Sequence, residues 1–205
     1  MHTDNTAPHP VQATACGATG TPWRNTATGY GGVSIGLHWL MLVLLAAVYA
    51  CMELRGYFPR GSAIREGMKT WHFMLGMAVL ALVMVRLAAR WAGPTPGIAP
   101  APPAWQHRLA QLMHMGLYAL MIGMPLLGWL TLSAQGKAVP FFGLQLPPLV
   151  AQSKELAELV KDVHEAGATA GYVLIGLHAA AALWHHYAVR DNTLRRMLPG
   201  WHASR

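Results

Sequence analysis

Two histidines, His164 and His178, stand fourteen residues apart in one apolar run, VHEAGATAGYVLIGLHAAAALWHHYAV, at residues 163–189. On a helix that spacing returns them to nearly the same face, about 21 Å apart along the axis. An ionisable side chain inside a membrane-length apolar segment is costly and marks function by default. Two imidazoles on one stripe, one near each membrane face, have the placement of axial ligands for two stacked haems. Gly167, Ala168, Ala170, Gly171 and Gly176 flank the stripe and leave room for something large and flat. The competing reading is a pair of histidines hydrogen-bonded to neighbouring helices. Partner histidines at matching depths elsewhere in the chain distinguish the two.

The elements that must position these residues come from composition. The chain has 205 residues, 54% hydrophobic and 11% charged, against about 25% charged in an ordinary soluble domain. Its apolar residues gather in four stretches of roughly bilayer length, near residues 33–52, 70–90, 106–132 and 163–189. The formal charge of +7 could suit nucleic acid, but the cations cluster beside the apolar stretches, which fits a membrane surface instead. Residues 1–31 are rich in Thr, Ala, Gly and Pro and read as a disordered arm, with no signal peptide, so the first apolar stretch must drive insertion. The proline-rich run GPTPGIAPAPPAW reads as an extended spacer, and Pro125 predicts a kink in the third segment. Residues 133–161 form the longest loop, in which AVPFFGLQLPPLV is apolar but broken by prolines and is expected to lie on the membrane surface. Cys16 and Cys51 have no CxxC partner, which excludes an iron–sulfur or zinc site built on them.

Successive spanning helices alternate direction, so depths can be compared. His38 begins the first segment on the side where His178 approaches the end of the fourth. His72 begins the second on the side where His164 begins the fourth. Two level pairs result, His38 with His178 and His72 with His164. An iron held from both sides has no open position and passes electrons without binding dioxygen. His114 competes with His38 on its level; otherwise it hydrogen-bonds a neighbouring helix or a haem propionate. Trp39 and His185, the latter seven residues past His178 on the same stripe, are further candidates for quinone or propionate contact.

The segments SIGLHWLMLVLL, VYACMELRGYFPR, WHFMLGMAVLALVMVRL, HEAGATAGYVLIGLHAAAALWHHY and DNTLRRMLP resemble the bacterial cytochrome b561 family, over about residues 33–199. The resemblance implies an all-α integral-membrane four-helix bundle binding two b-type haems, with ligands at His38, His72, His164 and His178. That bundle would span residues 32–190, followed by a basic cytoplasmic tail at 191–205. The branch it is most similar to takes electrons from periplasmic superoxide, releases dioxygen, and passes the electrons through the haems to ubiquinone. The expected location is the bacterial inner membrane.

Charge does not orient the chain, because Lys and Arg divide almost evenly between the two sides. Arg195 and Arg196, close to a helix end, favour cytoplasmic termini. Arg55, Arg60, Arg65, Lys69 and Lys137 then face outward, where they would steer an anionic substrate or contact lipid headgroups. Besides a superoxide:ubiquinone oxidoreductase, the pattern allows a membrane anchor and electron relay for a partner dehydrogenase or hydrogenase. It also allows a structural protein without haem.

Overall fold

The computed structural model describes residues 23–27 and 29–199. Four helices are long and apolar enough to cross a membrane: α1 (Gly32–Leu54), α2 (Ala63–Trp91), α3 (Ala104–Ala134) and α4 (Lys154–Trp184). Large apolar side chains such as Leu40, Val43, Met84, Leu112 and Leu177 point outward, the surface a bilayer requires. The protein is a multi-pass membrane helical bundle.

Helix ends explain where the apolar stretches understated the helices. Ser62 caps α2 by accepting the Arg65 N–H at 3.3 Å, and Ser153 caps α4 by accepting the Leu156 N–H at 3.3 Å. Both helices therefore start in polar sequence, α2 at Ala63 instead of 70 and α4 at Lys154 instead of 163. α3 continues through Pro125, which is buried. The outermost described residues of the expected N-terminal arm form a turn: Asn25 Oδ1 accepts from Gly31 N–H at 3.0 Å and the Ser34 hydroxyl at 2.7 Å. Residues 1–22 of that arm, and 200–205 of the tail, lie outside the described residues.

α1 packs along α2, α3 along α4, and α2 against α3. Met41, Val79, Val83 and Met121 form the core these contacts share. The long loop expected after α3 contains a β-hairpin, with β1 (Val139–Phe141) paired antiparallel to β2 (Leu144–Leu146). Phe142 and Gly143 turn it with φ of 44° and 88°, the left-handed pair that a two-residue hairpin uses. Val139 is buried with Met77 and Leu132, tying the hairpin to α2 and α3.

Side chains bridge α1 to α4. The Tyr49 hydroxyl donates to the Ala168 carbonyl at 3.0 Å, and Tyr172 donates to Glu53 Oε1 at 2.7 Å. The space expected at Gly171 is filled by this contact: a Cβ there would run into the Tyr49 hydroxyl and come within 3.2 Å of Leu120. At Gly167 it would meet Met124 Sδ at 2.6 Å, whereas Gly76 and Gly176 face open space. Gly171→Ala should destabilise the bundle by about 1–3 kcal/mol through overpacking. Adding Tyr49→Phe should restore part of the loss. Thermal midpoints in detergent measure both, and a Gly171→Ala variant as stable as wild type would refute the contact.

Candidate functional site

The helices bring the four paired histidines together at two levels. At the end of the bundle where α1 begins and α4 ends (the terminal end), the rings of His38 and His178 have centroids 6.3 Å apart. At the opposite end, with the α1–α2 and α3–α4 connections (the loop end), His72 and His164 stand 6.2 Å apart. Metal–imidazole bonds of about 2 Å put two rings sharing one metal about 6 Å apart, so each pair fits an iron held on both sides. Among the described residues no three His, Cys, Asp or Glu donors converge on a bare metal ion. Paired ligands suit a metal whose remaining bonds come from a porphyrin.

The loop-end pair is the better defined. His72 Nδ1 lies 3.1 Å from the Val48 carbonyl, which can only accept; Nδ1 therefore carries the proton and Nε2 keeps its lone pair. Orienting a ligating imidazole through its other nitrogen is a common device of metal sites. His164 Nδ1 is buried without a hydrogen bond, and Gly128 gives its ring room, since a Cβ would lie 3.4 Å from Cε1.

The terminal-end level is more crowded. His114 lies 5.5 Å from His178, so both rivals for that pairing reach the same ring. His114 is nevertheless exposed. With Arg90, Gln111 and Tyr118 it lines a cleft of about 360 Å³ between α2 and α3. Arg86, which the histidine pattern did not single out, is half-buried at this level, with one guanidinium nitrogen fully buried and without a hydrogen bond. It follows His72 by fourteen residues, the spacing that separates His164 from His178. That repeat was the available signal.

Trp39 and His185 are already committed to the chain's own C-terminal strap. Trp39 Nε1 donates to the Met197 carbonyl at 2.7 Å. α4 ends in a π turn at His185–Val189 and a left-handed Arg190, which brings Asp191 Oδ2 to 2.5 Å from His185 Nδ1. Further along, Asn192 Oδ1 accepts from Ala99 N–H at 3.0 Å, and Arg196 donates to the Pro96 carbonyl at 2.6 Å.

The five cations singled out earlier all lie at the loop end. Arg65 is structural, donating to the carbonyls of Arg55 and Phe58 at 3.1 and 2.9 Å. Lys69 is paired with Glu66 at 2.8 Å. Arg60 is exposed and makes no ion pair among the described residues. Lys137 lines a shallow recess of about 410 Å³ with Lys154, Lys161 and Glu158.

A membrane-spanning helical bundle with facing imidazoles at two depths defines a class, the membrane cytochromes that carry electrons on b-type haem. A family profile described as prokaryotic cytochrome b561 matches residues 29–200. The chain belongs to the prokaryotic cytochrome b561 family. It is 43% identical to cytochrome b561 homolog 1 of Escherichia coli K12, over 83% of this chain and 97% of that one. It is 40% identical to the probable superoxide oxidase CybB of Yersinia pestis, over 83% and 96%. A second Escherichia coli K12 protein, cytochrome b561 homolog 2, is 28% identical over 86% and 94%. As a member of this family the protein is a membrane b-type cytochrome that transfers electrons.

The strap gives a prediction of its own. Burial opposes the charge of Asp191, but hydrogen bonds from His185 and the Thr193 N–H outweigh it and hold the carboxyl below its usual range. A carboxyl depressed in the folded state adds stability above its unfolded value and loses it as pH falls through the folded one. Asp191→Asn should therefore cost about 1–3 kcal/mol at neutral pH. The gap to wild type should close as the solution is acidified, in thermal melts across the acid range. A gap unchanged at low pH would refute the assignment.

Proposed function

We propose that the protein is a superoxide:ubiquinone oxidoreductase of the bacterial inner membrane, with both termini cytoplasmic and the loop end facing the periplasm. The balance is two superoxide anions, one quinone and two protons giving two dioxygen molecules and one quinol. The observation that carries the reading is the pair of facing imidazoles at each of two levels, 6.3 and 6.2 Å apart. In it, His38 with His178 and His72 with His164 each hold one haem b. The bound haems supply one-electron carriage across the membrane. Kinship with a protein named a probable superoxide oxidase supports the choice of donor.

The chain's own residues do the rest. At the loop end, Arg60 and Arg55 with Lys137 draw in an anion whose oxidation needs no proton, so charge near the site suffices. Arg65 shapes the connection that presents them, and Glu66 offsets much of Lys69. At the terminal end, quinone reduction needs hydrogen-bond donors and protons. His114, Gln111 and Arg90 offer donors from the cleft between α2 and α3. His114 is thus assigned to the acceptor, and His38 to the iron.

Two measurements test this. Purified wild-type protein should carry two haems b per chain. His38→Ala or His178→Ala should leave one, as should His72→Ala or His164→Ala, while His114→Ala keeps both; pyridine haemochrome spectra against protein concentration give the ratio. A pulse of superoxide should then reduce the haems, and added quinone should reoxidise them. Arg60→Gln should slow the superoxide step by about 2- to 10-fold at low salt and flatten its salt dependence. Haems that dithionite reduces and superoxide does not would turn the reading to an electron relay for a partner dehydrogenase or hydrogenase.

A further inference from the structure

Arg86 is the group at the terminal end that the mechanism so far leaves unused. It lies in the second half of α2, fourteen residues past His72, on the same face and about 21 Å further along the axis. One guanidinium nitrogen is fully buried, and the side chain has no hydrogen bond and no ion pair among the described residues. That rise from the loop-end level of His72 brings Arg86 to the level of His38, His114 and His178. At the level of His72 the described residues place no arginine inside a span; Arg55 is half-buried in the turn that follows α1. A permanent cation inside a membrane span is costly, and one kept without a protein counter-charge calls for a physical reason.

We propose that Arg86 sets the direction of electron flow by making the terminal-end site the stronger electron acceptor. This rests on the two-haem reading above. A haem held between the neutral imidazoles of His38 and His178 would lose one unit of positive charge on taking up an electron. A fixed cation beside it therefore destabilises the oxidised form relative to the reduced one and raises the midpoint potential. Coulomb interaction falls with distance and is strong where water is excluded, so the half-buried guanidinium acts mainly on its own level. The resulting inequality draws electrons from the loop end, where the donor arrives, to the terminal end, where the acceptor docks. Fourteen-residue spacing on α2 thus does for the driving force what the same spacing on α4 does for the ligands.

The test is an optical redox titration of the purified protein in detergent, with the terminal-end haem identified as the one lost in His38→Ala. In wild type that haem should have the higher midpoint of the two; a lower one overturns the proposal without any change at Arg86. Arg86→Gln should lower its reduction equilibrium about tenfold or more, which is about 59 mV for one electron. Arg86→Lys should hold it near the wild-type value, and the other haem should stay put in both variants. Two haems present and neither moved, or both moved equally, overturns the role of Arg86 alone. A wild-type preparation with fewer than two haems overturns the reading beneath it, a separate and recognisable result.

Discussion

The whole molecule follows from the cost of placing ionisable side chains inside a bilayer. The imidazoles of His38, His72, His114, His164 and His178 and the guanidinium of Arg86 lie well inside spans whose outer surfaces are apolar, and each needs a partner other than lipid. α4 carries one member of both histidine pairs, so α1 and α2 must each meet it at a different depth. That requirement separates α4 from α1. The two come together through the long reach of Tyr49 and Tyr172 instead of through close backbones. Small residues along α4 then divide the work: Gly171 and Gly167 admit side chains from α1 and α3, while Gly176 leaves open space.

The two ends of the bundle are built differently. At the loop end a β-hairpin packs onto α2 and α3, and cations crowd a short connection held in shape by Arg65. At the terminal end the chain past α4 folds back as a strap. It is fastened to α4 by Asp191, to the α2–α3 linker by Asn192 and Arg196, and to α1 by Trp39. Burying Asp191 is tolerable only because it receives hydrogen bonds from both His185 and Thr193. The strap thereby fixes Trp39, whose ring edges that of His38 at 5.9 Å.

The spans and the histidine pairs were legible because both rest on strong, periodic signals: apolar length, and a spacing that closes after four helical turns. The early starts of α2 and α4 were not, because polar sequence such as KELAELVKD continues a helix without adding to hydropathy; only the caps at Ser62 and Ser153 mark those ends. The hairpin escaped notice since Pro140, Pro147 and Pro148 read as breakers, whereas its turn depends on a positive φ at Phe142, a residue that rarely takes one. The choice between His38 and His114 could not be made from depth, and three rings do indeed share that level. Their difference is lateral: His114 opens on the cleft, and lateral position is invisible to a depth argument.

That crowding has a chemical sense within the proposed reaction. Oxidising superoxide moves one electron and no proton, so the loop end needs attraction and little else, and two imidazoles with a fringe of cations suffice. Reducing a quinone consumes two protons with two electrons and calls for donors beside the acceptor. The terminal end holds a third imidazole 5.5 Å from a paired ring, an amide and two arginines, and a His185–Asp191 contact that reaches the surface strap. A symmetric pairing of histidines thus carries asymmetric surroundings, and it is on that asymmetry, more than on the pairing, that the proposed division of half-reactions rests.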